Sequence, residues 1–212
     1  MSVEAVIPLF PLNVVLMPEM ALPLHIFEER YKLMIGECLD QSTEFGIVLS
    51  DGSGFHSCGC TAKIVHILKR YDDGRMDILT HGQRRFLLKE VYDDRSYLRS
   101  KVVYFDDSED NPPQDCRTLA DRGLELLREL KRLTFHSDDA GLAEEMDLKS
   151  ISFLLAGCEQ LNVEDRQRLL EMTSVYDRLS QSVKMLAEIL AQILRAEQIR
   201  KIIGGNGGLR SQ

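Results

Sequence analysis

The densest group of reactive side chains is His56-Ser57-Cys58-Gly59-Cys60, which sets an imidazole and two thiols within five residues. These are ligands that Zn²⁺ accepts. The spacing argues against a site: Cys-x-Cys is tighter than the usual metal-binding pair, and no second Cys/His pair follows at a matching distance. Cysteine is also a common small core residue. Nucleophilic chemistry has less support. Asp51-Gly52-Ser53-Gly54 superficially resembles a serine loop, but the G-x-S-x-G elbow is absent and a flexible turn accounts for the composition. No G-x-x-x-x-G-K-[ST] cradle for a triphosphate is present. Paired carboxylates at Glu28-Glu29, Asp72-Asp73, Asp93-Asp94 and Asp106-Asp107 fall at turns and helix starts, where such residues solvate and cap. The expectation is no catalytic residue, no metal and no cofactor.

The remaining candidates suit binding. His25, between Leu24 and Ile26, has the setting of a core histidine. Arg84-Arg85 follows Gly82 at a strand start and suits either an anion or partner carboxylate, or an internal salt-bridge set. Phe10, Met17 and Met20 lie near prolines in the first loop. Methionine adapts to varied peptide surfaces and equally fills cores. Phe10, Met17, Met20, His25 and Arg84 are therefore the candidate binding residues.

The elements that must position them divide in two. Ala5–Phe10 and Met20–Ile26 read as strands, the second an edge or irregular one because Pro23 lies inside it. Phe27, Tyr31, Met34 or Ile35, and Cys38 share a helical face. Phe45–Leu49 reads as a buried strand. Cys58–Tyr71 alternates and closes on the Asp72-Asp73-Gly74 turn. Arg75–Thr80, Arg85–Tyr92 and Ser96–Phe105 complete a set of short antiparallel strands that suits a small closed or partly closed barrel. An acidic, proline-containing linker spans Asp106 to Gln114. Beyond it the pattern is helical: Leu119 to Leu133, then Asp147–Cys158, then helix starts at Asn162 with Asp165 and Ser174 with Asp177. Tyr176, Leu179, Val183, Leu186, Leu190 and Ile193 form a heptad seam on a long last helix that stops near Ile203, before a glycine-rich tail. The seam suits packing within the domain, with pairing to a second copy as the alternative. The expected divisions are 1–112, 113–203 and a flexible tail 204–212.

Composition narrows the class. The 212 residues carry 26 Lys plus Arg against 34 Asp plus Glu, a net charge of −8. Residues 1–112 hold 12 basic and 18 acidic residues, a net of −6, and residues 113–212 hold 14 and 16, a net of −2. Neither half has the basic excess that displaces counterions from nucleic acid. No apolar run reaches the ~18–20 residues of a membrane span, and the N-terminus lacks a secretory signal. Five cysteines without framework spacing suit reduced thiols in the cytoplasm.

Ordered motifs supply a family resemblance. Pro8-Leu9-Phe10-Pro11-Leu12, Val15-Leu16-Met17-Pro18 and Leu22-Pro23-Leu24-His25-Ile26-Phe27-Glu28 with Arg30-Tyr31 resemble the opening of the LON domain, the N-terminal substrate-binding domain of the ATP-dependent protease Lon. Phe45-Gly46-Ile47-Val48-Leu49, Gly59-Cys60-Thr61-Ala62-Lys63-Ile64, Asp73-Gly74-Arg75 with Asp77-Ile78-Leu79, and Gly82-Gln83-Arg84-Arg85-Phe86 resemble its later strands in order. Gln167 to Leu170 and Arg178-Leu179 resemble its last two helices. The resemblance implies an α+β fold, a PUA-like β-barrel followed by a C-terminal α-helical bundle with a long last helix. It also places Cys58 where the family carries an aliphatic residue.

The same resemblance implies a non-catalytic polypeptide-binding module like the stand-alone LON-domain proteins of bacteria, because the sequence to Gln212 contains neither a phosphate-binding loop nor a separated Ser-Lys dyad. The expected partners are unfolded or exposed polypeptide segments, with a protease or chaperone as a further partner. No nucleic acid and no membrane are expected, and the chain should be a monomer or weak dimer. Two alternatives remain open at this point. One is a small hydrolase, metal-dependent or metal-free, using the barrel surface. The other is an RNA-binding PUA-like protein, which the acidic barrel half disfavours.

Overall fold

The computed structural model describes residues 4–52, 54–108, 115–135 and 146–205. Six strands and a helix come first: β1 (Glu4–Leu12), β2 (Ala21–Ile26), α1 (Glu29–Gln41), β3 (Phe45–Ser50), β4 (Phe55–Arg70), β5 (Met76–Tyr92) and β6 (Arg99–Tyr104). Four helices follow: α2 (Cys116–Phe135), α3 (Leu148–Ala156), α4 (Val163–Glu171) and α5 (Val175–Gly205). The division expected at 112/113, most of the acidic linker, Ser53 and most of the glycine-rich tail lie outside the described residues.

The strand order is β2-β5-β4-β3-β1-β6, and an added β5–β6 pairing closes β5, β4, β3, β1 and β6 into a ring of five strands with β2 outside it. All pairings are antiparallel except β1 with β3. The parallel pair needs a crossover, and α1 lies within it. Two strands are long enough to serve twice. The first part of β5 pairs with β2, and its last part pairs with β6. The sequence expectation of separate strands at 75–80 and 85–92 is corrected here. Gly82 does not break the strand. It lies opposite Ala62 of β4, and a Cβ there would collide with the Met17 carbonyl of the first loop.

Burial explains why alternation is weak in this half. Ile7, Leu9, Val48, Phe86 and Val102 form one cluster drawn from four strands of the ring. The glycines Gly46 and Gly59 lie against the Phe86 ring in its centre, where a Cβ on either would come 2.7 Å from the Phe86 Cζ. The opposite faces of the same strands are covered as well. Phe10, Ile47 and Cys60 pack with Tyr31, Met34, Ile35 and Cys38 of α1, and Cys58 packs into the helical core. Strands covered on both faces read as continuous apolar runs, as β3 does. Phe27 departs from the expected helical face: it precedes α1 and is 59% exposed.

The helices form the second core, in which α5 packs on α2 and α3. At ~1.5 Å per residue the 31 residues of α5 span about 46 Å. Every residue of the expected heptad seam packs into this core, Leu179 and Leu186 fully buried. The seam is therefore used inside the chain. The capping expectations also hold: Asn162 Oδ1 accepts from Asp165 N at 2.7 Å, and Ser174 Oγ accepts from Asp177 N at 3.1 Å.

Candidate functional site

Barrel and bundle meet around two buried guanidinium groups. Strand alternation sends Arg85 inward from β5 and leaves Arg84 outside. Arg85 donates to the Leu170 carbonyl at 2.9 Å, the Met172 carbonyl at 2.5 Å and Asp107 Oδ1 at 2.6 Å. Arg178, on the first turn of α5, donates to both oxygens of Asp107 at 2.9 and 2.6 Å, to the Met172 carbonyl at 2.8 Å and to Ser152 Oγ at 2.8 Å. The Phe153 ring of α3 has the Arg178 guanidinium at 3.9 Å and that of Arg85 at 5.1 Å. Burial pulls the Arg85 pKa below the ordinary arginine range, and the Asp107 carboxylate opposes that pull. One carboxylate thus bridges two arginines, one from each half of the chain. This cluster is saturated by internal acceptors and works as a structural clasp.

Beside the clasp lies an open hollow of about 360 Å³. Its walls come from both halves: Gln83, Arg84 and Tyr104 from the barrel, Lys149 and Phe153 from the bundle, and Glu19 from the first loop. Met17 to Met20 form a turn closed by Met20 N on the Met17 carbonyl at 3.3 Å, with Pro18 second and Glu19 third at φ 63°. That is the type II pattern, whose third position normally takes Gly or Asn. A glutamate held there, with its N–H on the Gly82 carbonyl at 2.9 Å, sets an exposed carboxylate at the rim.

Arg84 is the exposed cation of this wall. Its guanidinium lies 3.7 Å from the Tyr104 ring centroid, while its backbone N–H is fixed by Thr61 Oγ1 at 3.1 Å. A second hollow of about 420 Å³ opens on the other side of the Arg84–Tyr104 pair. Its other cations are already committed: Arg95 holds Glu37 at 2.9 Å and Arg99 holds Asp94. Arg84 is in no ion pair among the described residues, so a planar, stacked guanidinium stands between two hollows with donors to offer.

The structure distributes the candidate binding residues across different settings. Phe10 is buried and stacks on Tyr31 at 4.1 Å between centroids. Met17 is 1% exposed within the helical core. Neither presents surface to a partner. Met20 is half-buried and packs against both the helical and the α1 clusters. His25 is not the core histidine its neighbours suggested: Leu24 and Ile26 point inward, and His25 faces out, its Nδ1 2.5 Å from Asp77 Oδ1. Arg84 alone lines the hollows. Sequence reasoning did not find Tyr104, Glu19 or Lys149, and it did not separate Arg84 from Arg85, although period-two alternation carried that signal.

The cysteines carry no accessible chemistry. All five are free and buried. Burial pushes Cys58 up to about 12 and Cys38 up to about 11, and it raises Cys60 as well. Cys58 and Cys60 sit in different core clusters, and His56 is near Asp51 at 3.9 Å. Among the described residues no group of three His, Cys, Asp or Glu side chains is arranged to hold a metal ion, and no helix is long and apolar enough to cross a membrane.

Residues 6–188 match the family described as the ATP-dependent protease La (LON) substrate-binding domain. A Lon protease of Parabacteroides distasonis is 30% identical over 111 residues, covering 48% of this chain and 13% of that protein. Lon protease 1 of Bdellovibrio bacteriovorus is 23% identical over 93% of this chain and 26% of its own length. The chain thus spans about a quarter or less of these proteases. In structure it resembles a Lon N-terminal domain protein from Xanthomonas campestris, with TM-score 0.65, 23% identity, and coverage of 84% of this chain and 96% of that one. It also resembles the N-terminal domain of a Mycobacterium avium complex Lon protease, with TM-score 0.67, 18% identity, and coverage of 88% and 98%.

Proposed function

Because the chain belongs to the family of LON substrate-binding domains, we propose that its own work is non-catalytic capture of polypeptide segments in the hollow between barrel and bundle. The observation that carries this reading is Arg84: an exposed guanidinium, pre-oriented on Tyr104 and in no ion pair among the described residues, on a wall shared by two hollows. An unfolded segment offers carboxylate side chains and apolar ones in no fixed order. The Arg84 fork takes a carboxylate in two parallel hydrogen bonds, while Pro18, Phe105 and the Phe153 ring border the apolar part of the contact. Glu19 adds an exposed carboxylate at the rim, while Lys149 is held by Asp106 at 2.6 Å on the same wall.

The clasp supports the reading by separating two tasks. Arg85 and Arg178 hold the halves together, so the wall that carries Arg84 is fixed before a ligand arrives, and less ordering entropy is lost on binding. The buried, free cysteines accord with a reducing compartment, which we take to be the cytoplasm. The test is association with a reduced, permanently unfolded polypeptide followed by fluorescence anisotropy. Micromolar binding that weakens several-fold in Arg84→Ala, with unchanged thermal stability, is the expected result. Binding indifferent to Arg84 would move the site elsewhere, and no association at any accessible concentration would overturn the reading.

A further inference from the structure

Strand β4 outruns its neighbour. Its pairing with β3 ends at Phe45↔Ala62, whereas its pairing with β5 continues to Arg70↔Met76. From Lys63 to Arg70 it is therefore paired along one side, and every residue in this stretch except Ile64 is exposed. With β5 and β2 it forms a three-stranded arm whose inner face rests on α1 through Ile26, Met76, Ile78 and Ile64. The outer long edge of that arm is β4.

Folded proteins usually blunt such an edge with charge and bulges. This edge has both features, arranged unusually. The register slips between Ile64 and His66 and again between Ile67 and Lys69, so Val65 and Leu68 are the extra residues. A blunted edge would place polar side chains there. Instead Val65 is 41% and Leu68 58% exposed, with Ile67 between them at 37%. The charges are of one sign. Residues 63–70 contain Lys63, Lys69 and Arg70 and no acidic residue. Lys69 lies over the Tyr71 ring at 4.4 Å and across the ladder from Asp77, and Arg70 donates to the Met76 sulfur at 3.7 Å; neither is within ion-pair distance of a carboxylate among the described residues.

Those charges select the occupant. A second copy of the chain would bring Lys63, Lys69 and Arg70 against the same three cations, and like charges across paired strands destabilise the pair. An extended segment with acidic residues at its ends meets the cations with opposite charge and lays apolar side chains on Val65, Ile67 and Leu68. We propose that the Lys63–Arg70 edge of β4 binds acidic-flanked, extended polypeptide segments by adding them to the sheet as a further strand. This rests on the polypeptide-binding reading and supplies a second docking surface, which recognises backbone and charge where the hollow recognises side chains.

The probe is a peptide alternating valine and threonine between two pairs of glutamates, titrated into the ¹⁵N-labelled chain. Amide shifts confined to residues 63–70, with binding lost on N-methylation of alternate peptide nitrogens, are expected. Replacing the peptide's glutamates by lysines should weaken binding about tenfold, and Lys69→Glu with Arg70→Glu should reverse that preference. Shifts centred on Gln83–Arg85, equal affinity for both peptides, or a concentration-dependent dimer through β4 would each overturn the proposal. If unfolded polypeptide binds and is indifferent to the edge variants, the edge proposal fails alone. If neither probe binds, the polypeptide-binding reading fails with it.

Discussion

At the junction, Arg85 and Arg178 are 2% and 0% exposed, and their donors end on one carboxylate, one hydroxyl and backbone carbonyls of Leu170, at the end of α4, and Met172, just beyond it. On the arm, Lys63, Lys69 and Arg70 are exposed and in no ion pair among the described residues, with Lys69 across the ladder from Asp77. The same residue types therefore do opposite work. Where desolvation is complete, each cation must be satisfied internally and cannot also serve a ligand. Where it is slight, the cation adds little to the fold and remains available. Arg84 and Arg85 show the contrast within one dipeptide, since strand alternation assigns one to solvent and the other to the clasp.

The largest effect should come from removing the carboxylate of the clasp. Asp107→Ala leaves two buried guanidinium groups facing each other, and breaking a buried pair costs about 3–5 kcal/mol. Urea unfolding would show the loss, and a split into two transitions would show that Asp107 couples the halves. An unaffected midpoint would remove the distinction between clasp and arm. The next effect belongs to the barrel centre. A Cβ at Gly59 meets the Ile47 carbonyl oxygen, with the Phe86 Cζ and the Val48 Cγ1 each 2.7 Å away. Backbone cannot yield as a flexible side chain does, so Gly59→Ala should cost at least about 1–3 kcal/mol, read as a fall in the same midpoint.

Much of this architecture was legible in the sequence, for reasons that also mark where legibility ended. Helix signals are local: the α1 face of Tyr31, Met34, Ile35 and Cys38, the α5 seam, and the caps at Asn162 and Ser174 each depend on neighbours within a few residues. The β half is governed by distant contacts. Gly82 looked like a strand break because its cause, the Met17 carbonyl, lies 65 residues away in the chain. His25 looked buried because its neighbours are apolar, but the period-two alternation of β2 puts it outside. The clasp was invisible: Arg85, Asp107 and Arg178 are far apart in sequence, and no local pattern distinguishes a buried arginine from an exposed one. Phe10 and Met17 have the residue types of a binding surface, but their packing partners, Tyr31 and the helical core, are not local.

A smaller effect tests the rim of the junction. Asp147 caps α3, the helix that carries Ser152 and Phe153 into the clasp, and its Oδ1 accepts from Ser150 N at 2.7 Å. The Ser150 N–H bond holds the Asp147 carboxyl below the usual aspartate range against the opposing effect of desolvation. A lowered folded pKa means the contribution is present above the unfolded value of about 3.9 and is lost as pH falls through the folded one. Asp147→Ala should therefore cost about 1 kcal/mol at neutral pH, and the gap between variant and wild type should close in acid. A gap that persists below pH 2 would mean that something other than the carboxylate stabilises α3.

The smallest effect belongs to the arm, and it completes the contrast. Lys69→Glu with Arg70→Glu reverses two charges on an exposed strand where neither is in an ion pair among the described residues, with Asp77 across the ladder from position 69. Such surface changes usually stay within about 0.5 kcal/mol. The unfolding midpoint should scarcely move while peptide preference inverts. A large stability loss would show that these cations hold the arm on α1 and would make the edge structural, as the junction is. An unchanged midpoint with inverted preference would show that the fold leaves these charges free because its stability comes from elsewhere, from the clasp and the two cores it joins.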